Sequence, residues 1–120
     1  MENLIREIEP KNMSEVRIEV DEFIELYNDS KAEFIDVRAD FETKAWGFNF
    51  GLKIPANELP DHLDELPKDK LIVVACPNVD RSNMARTYLS LQGYKSKYLI
   101  GGLLNLTTVL RGGGAKKIKL

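Results

Sequence analysis

Apolar positions crowd into one stretch, Leu71-Ile-Val-Val-Ala75, where β-branched residues leave no polar alternation. Such a run reads as a strand buried on both faces. The period then lengthens. Met84, Ala85, Tyr88 and Leu89 share one face of a predicted helix, which Gly93 stops. Upstream, Val20, Phe23, Ile24 and Tyr27 follow i, i+3, i+4, i+7 and predict a helix over 19–28. Residues 33–38 read as a strand running into charge, residues 39–43 as one helical turn, and Leu52 to Ile54 as a short strand closed by Pro55. Between them, Trp46 to Gly51 has no period and reads as a loop. Leu59, Leu63 and Leu66 predict a helix over 58–66, with Pro60 tolerable only in its first turn. After Gly93, residues 97–100 read as a strand, Gly101-Gly102 as a break, and residues 103–110 as a helix ended by Gly112-Gly-Gly114. Residues 13–18 supply a short first strand. The remaining ends divide the chain into an extended lead-in (1–12), one domain (13–111) and a flexible, basic tail (112–120). Strands alternating with helices predict an α/β fold with a mostly parallel sheet covered on both faces.

Composition narrows the class without naming a function. The chain has 120 residues, enough for one domain with a core of its own. At 43% hydrophobic and 30% charged it is ordinary globular material. A net charge of −2 gives no global attraction to nucleic acid or to an acidic membrane. No apolar run reaches membrane-spanning length, and the first residues lack the basic-then-apolar pattern of a signal peptide. The single cysteine has no internal disulfide partner, so a reducing cytoplasm is the expected location.

That cysteine is where the candidate chemistry lies. The buried strand delivers Cys76 to the carboxyl edge of the sheet, where open α/β sheets bind ligands. The following helix aims its free N–H groups back at the sulfur, an arrangement that favours anions and a reactive thiolate. Only Pro77, Asn78, Val79 and Asp80 separate Cys76 from Arg81, so the loop can curl into an anion nest. Pro77 has no N–H to give. The donors are therefore the amides of Asn78, Val79, Asp80, Arg81 and Ser82, with the Arg81 fork suited to an oxyanion. A cysteine at a strand end is more often just a small buried hydrophobe, and an arginine in a first turn more often a solvated one. It is the order strand, Cys, short loop, Arg, helix that favours the chemical reading.

Three segments carry a family resemblance. Cys76-Pro-Asn-Val-Asp-Arg81-Ser82 resembles the active-site loop of the rhodanese-like sulfurtransferases, whose common form is C-x-x-G-x-R-S. Phe34-Ile-Asp36-Val37-Arg38 resembles their "IDVR" strand end, and Tyr98-Leu-Ile-Gly101-Gly102-Leu103 their Gly-Gly segment before the last helix. Gly47 to Pro55 keeps the glycines and the Ile-Pro ending of a fourth segment, and the likeness extends from Val16 to Leu110. It implies a three-layer domain whose central, mostly parallel sheet of about five strands is flanked by helices. It also implies a sulfurtransferase in which Cys76 is the catalytic nucleophile. Cys76 would take sulfane sulfur from a small anionic donor such as thiosulfate and carry it as a persulfide held by residues 78–82. It would then pass the sulfur to cyanide, a thiol or a protein acceptor. No metal or organic cofactor, nucleic acid or membrane is implied. Asp36 and Arg38 would be a structural pair beside the site, with a pocket-rim role for Arg38 as the lesser alternative.

The sequence departs from that pattern inside the loop. Val79 stands where many members have Gly, which requires either a negative φ or an altered loop. Asp80 puts a carboxylate beside an expected dianion site unless it caps the helix and faces away. Phe48 replaces the usual His of the Gly47 segment. Two rivals follow: a non-catalytic persulfide-carrier or protein-interaction module, and a rhodanese-like phosphatase, which uses a longer loop between Cys and Arg than the four residues here. Elsewhere, His62 lacks partners for a metal site. Trp46, Phe48 and Phe50 are expected to pack beneath their loop.

Overall fold

The structure is a computed structural model that describes residues 2–120. Met1, the first residue of the expected lead-in, lies outside them. Five strands form one sheet in the order β1-β5-β4-β2-β3, every neighbouring pair parallel. They are β1 (Arg17–Ile18), β2 (Ala32–Asp36), β3 (Leu52–Lys53), β4 (Leu71–Ala75) and β5 (Ser96–Leu99). The helices are α1 (Glu2–Arg6), α2 (Val20–Asn28), α3 (Asp40–Ala45), α4 (Asp80–Leu91) and α5 (Gly102–Leu110). The chain leaves β2 for the edge strand β3, then returns across β2 to lay β4 on its other side. Ligand crevices in such sheets open at the carboxyl ends where the strand order reverses. Here that place is the pair β2–β4, in which Asp36 registers with Ala75.

Strand periodicity sorts the core into two layers. Phe34, Val73 and Ala75 face one side, with Phe23 and Ile24 of α2 and Leu103, Leu106 and Leu110 of α5. Ile35, Val37, Ile72, Val74 and Cys76 face the other, with Ala85 and Leu89 of α4, Leu59 and Leu66. Because both faces are covered, β4 must be apolar at every position, which is why its sequence shows no alternation. Phe48 and Phe50 pack as expected, their rings 5.3 Å apart and Phe50 5.4 Å from Phe34. Trp46 does not join them; it is 41% exposed and lies over Arg38.

Four further expectations change. The lead-in is not extended: it holds α1 and a 3-10 helix over Pro10–Glu15, leaving only Arg17–Ile18 for the first strand. The helix expected over 58–66 is two 3-10 pieces, Ala56–Asp61 and Leu63–Glu65. Pro60 sits inside the first, where its missing N–H and its ring oppose a continuous α-helix. Leu59 and Leu66 are buried all the same. Met84 is 74% exposed instead of sharing the buried face of α4. That face is Ser82, Ala85 and Leu89, and at 100° per residue Met84 lies about 200° round from Ser82. The tail is not free. A 3-10 helix spans Gly112–Lys117, Ile118 packs against the core, and Asn28 bonds to it twice, donating Nδ2–H to Lys117 O and accepting from Lys119 N–H.

Candidate active site at the carboxyl edge of β4

Cys76 follows β4 directly and is 2% exposed. Its sulfur faces the first turn of α4. The Ser82 N–H donates to Cys76 Sγ at 3.3 Å, and Sγ lies 3.4 Å from Ser82 Oγ. Ser82 is the third helical residue, and its hydroxyl donates to Val79 O at 2.9 Å. An ordinary N-cap side chain accepts from the second or third helical amide. Val79 holds the N-cap position of α4 and has no such oxygen, so the sulfur of Cys76 takes over that role. The helix terminus and its partial positive charge therefore end on the thiol.

The carbonyls of the loop explain where its amides point. Cys76 O accepts from Leu103 N–H at 2.8 Å and Pro77 O from Leu104 N–H at 3.4 Å, so the start of α5 consumes them. In a trans peptide the C=O and N–H are opposed. The amide of Asn78, which shares its peptide unit with Pro77 O, therefore turns away from α5. This packing needs Gly102, whose φ is +62°: a Cβ there would lie 2.4 Å from both Cys76 O and Asn78 O and 2.6 Å from Pro77 O. The Gly101-Gly102 step is thus the seat on which the cysteine loop rests.

The loop's departures from the common pattern resolve in detail. Val79 has φ −137°, so no left-handed conformation is demanded of a β-branched residue. Asp80 is not the cap. It is the first helical residue, exposed, where a carboxylate is favourable to the helix dipole. Asn78 is exposed, while Pro77 and Val79 are half-buried.

Two arginines converge on this edge, and both are engaged. Arg38 is 1% exposed; its Nε and Nη2 grip the Asp36 carboxylate, with Nη2 to Oδ2 at 2.8 Å. Nη2 also donates to Trp46 O at 2.8 Å, and the guanidinium lies 4.2 Å from the Trp46 ring centroid. With Nε on Asp36 and Nη2 on both Asp36 and Trp46 O, Arg38 is pinned at the end of β2. Arg81 donates Nη1 to Glu42 Oε1 at 2.5 Å and Nη2 to Glu42 Oε2 at 3.0 Å. This bidentate bond holds the Glu42 carboxyl at about 2, well below its ordinary value, and raises the Arg81 guanidinium. Glu42 also accepts the N–H of Ala39, capping α3. The sequence reading missed Glu42. Its one available signal was an acid at the third position of a helix that starts just after the Asp36-Val37-Arg38 strand end.

His62, which the sequence placed outside any metal site, pairs with Glu65; that bond, first among the causes, raises its imidazole above the ordinary value. Among the described residues, no cluster of three or more His, Cys, Asp or Glu side chains could hold a metal. A cavity of about 440 Å³ lies between α1, the 3-10 turn after it and α4, lined by Leu4, Ile8, Met13, Arg86 and Tyr98 among others. None of its lining residues belongs to loop 76–82.

The model of the rhodanese-like domain matches residues 19–108, three quarters of the chain. The protein belongs to the rhodanese-like family. It is 34% identical over 100 residues to a putative sulfurtransferase of Bacillus subtilis, covering 83% of this chain and 88% of that one. It is 32% identical over 83 residues to the tRNA uridine(34) hydroxylase of Erwinia tasmaniensis, covering 64% of this chain but only 24% of that longer protein. Among solved structures, a rhodanese-related protein from Thermoplasma volcanium aligns with a TM-score of 0.66 and 28% identity, over 78% of this chain and 91% of that one. The all-parallel five-stranded sheet flanked by helices is thus the rhodanese-like fold. None of the helices among the described residues is long and apolar enough to cross a membrane.

Proposed function

We propose that this domain is a sulfurtransferase that carries sulfane sulfur as a persulfide on Cys76. The observation that carries the reading is the bond from the N-terminal turn of α4, Ser82 N–H, to Cys76 Sγ. It places the partial positive charge of a helix terminus on the atom that must be negative, both as the attacking thiolate and after sulfur is taken up. Relatives named sulfurtransferases support the class. In the first half-reaction the Cys76 thiolate attacks the outer sulfur of a donor. With thiosulfate, a new S–S bond forms, the donor's S–S bond breaks, and sulfite leaves with the electron pair. In the second, the outer sulfur of the Cys76 persulfide is taken by an acceptor. With cyanide, thiocyanate forms and the thiolate returns. The amides of residues 78–82 hold the added sulfur, and Ser82 positions the thiol from beneath. The covalent persulfide is the only carrier in this scheme, and no metal or organic cofactor enters it. A thiol that must stay reduced between turnovers fits a reducing compartment such as the cytoplasm.

Intact-mass measurement after treatment with sulfane sulfur donors tests the reading. The expected result is a gain of one sulfur atom, lost on adding cyanide and absent in Cys76→Ser. No adduct with thiosulfate, an organic thiosulfonate or a persulfide would leave a non-catalytic module in its place.

A further inference from the structure

The cavity beside α1 has two unlike walls. One comes from the chain ahead of residues 19–108, the part that matches the rhodanese-like domain, and is aliphatic at Leu4, Ile5, Ile8, Met13 and Val16. The other belongs to the domain itself: Asn83, Arg86 and Thr87 of α4 and Tyr98 of β5. At about 440 Å³ the space is of the size that holds a small molecule. The aliphatic wall is poorly covered. α1 buries no residue, and Ile5 and Ile8 are 60% and 63% exposed. Leaving such surface in water is unfavourable, and a five-residue helix has little stability of its own to offset it. Bonds fix the shape of this segment. Asn12 donates its N–H to Glu9 O and Nδ2–H to Glu7 O, each at 2.9 Å, and Lys97 Nζ donates to Ser14 O at 3.0 Å. The segment therefore bridges the space and does not collapse onto α4.

The polar wall carries a cation without a counter-ion. Arg86 is half-buried; its Nε donates to Ser96 O at 3.2 Å and its Nη2 to Ser90 Oγ at 2.9 Å, both neutral oxygens. Among the described residues no carboxylate forms an ion pair with it, and Nη1 has no acceptor. No partnerless side-chain nitrogen among them is sealed from water, so Nη1 opens into accessible space. Burial, first among the causes, lowers the guanidinium from its ordinary value, and the charge of Glu7 opposes this. Glu7 and Glu15 also line the cavity, but both are exposed and their charges are screened. Lys95 and Lys97 line an adjoining hollow that shares Arg86. We propose that this cavity binds a small carboxylate with an apolar body, the carboxylate on Arg86 Nη1 and the body against Leu4, Ile8 and Met13. Such a ligand supplies the acceptor that Nη1 lacks and the counter-charge that a desolvated cation calls for. It also takes the aliphatic wall out of water. The site is separate from the chemistry of Cys76, because none of its walls belongs to loop 76–82.

Calorimetric titration of the full chain with sodium octanoate tests the site, with octanol as the same body without the charge. Octanoate is expected to bind saturably, and octanol about tenfold more weakly. Arg86→Gln should bring octanoate down to the affinity of octanol. Because Arg86 also holds Ser90 and Ser96, a thermal melt accompanies that variant, and Ile8→Asp provides a second arm at a position already exposed. It sets a carboxylate in the apolar wall and should weaken octanoate by about tenfold or more. Cys76→Ser should bind octanoate as the native chain does. Absence of binding at millimolar octanoate, octanol binding as tightly as octanoate, or an octanoate affinity that survives Ile8→Asp or a folded Arg86→Gln would overturn the proposal. Loss of binding in Cys76→Ser would place the carboxylate at the cysteine loop and overturn it as well.

Discussion

Arg38 and Arg81 emerge beside each other at one edge of the sheet, and each is held by a carboxylate through two nitrogens. Their surroundings differ. The Asp36–Arg38 pair has side chains 4% and 1% exposed and is closed over by Trp46; the Glu42–Arg81 pair has side chains 23% and 43% exposed. The first is a buried ion pair between residues two apart, at the end of a strand whose neighbour runs into Cys76. The second joins α3 to α4 across 39 positions of sequence. Burial makes a pair costly to break but says little about its net worth, because desolvation offsets the attraction. Partial exposure makes a pair cheap to change, and so available for tuning function. The buried arginine shapes the edge of the site. The exposed one ties the first turn of α4 to α3.

The largest effect should come from breaking the buried pair on one side only. Asp36→Ala leaves Arg38 charged in a dry site and is expected to cost about 3–5 kcal/mol in urea unfolding. Replacing both partners by apolar residues, Asp36→Leu with Arg38→Met, should recover most of that loss. If the single change costs no more than a surface substitution, water reaches Arg38 and the two pairs do not differ in kind. A smaller effect tests the lid. Trp46→Ala removes the ring but keeps the backbone carbonyl that Arg38 uses, so only the cation–π contact and its shielding are lost, about 0.5–1 kcal/mol by the same unfolding measurement. A cost as large as that of Asp36→Ala would mean that the ring, and not the carboxylate, keeps the guanidinium in place.

The comparison also separates what the sequence displays from what it hides. Asp36 and Arg38 are two residues apart at a strand end, where local geometry dictates their meeting; the pair was legible. Cys76, its loop and β4 were legible for the same reason, since a strand, a short turn and a helix are contiguous. The alternation of elements disclosed the parallel sheet because parallel strands require crossovers. Glu42 was not legible as the partner of Arg81. The contact depends on how α3 sits against α4, a tertiary fact that no local period records. Met84 failed by a related route: a periodic face identifies apolar residues, but the seating of Ser82 beneath the sulfur fixes the rotation of α4. Residues 58–66 show leucine spacing that suits an α-helix, and Pro60 outweighed it. The tail reads as solvated because it is basic, yet Ile118 and two bonds to Asn28 dock it.

The smallest effect concerns pH, and it isolates the exposed pair. Hydrogen bonds from Arg81, first among the causes, hold the folded Glu42 carboxyl at about 2 against an ordinary value of 4.5. A carboxyl depressed on folding stabilises the native state above its unfolded value, and the contribution fades as pH falls through the folded value. The difference in denaturation midpoint between the native protein and Glu42→Gln should therefore be constant above pH 4.5 and shrink as pH approaches about 2. His62 runs the other way. Its imidazole is raised by Glu65, so its contribution is present below the ordinary 6.5 and lost as pH rises through the raised value. Both proteins keep His62, and its effect cancels in the difference. A difference that instead changes between neutral and alkaline pH would trace to a group other than Glu42, and the exposed pair would then not be what the substitution reports.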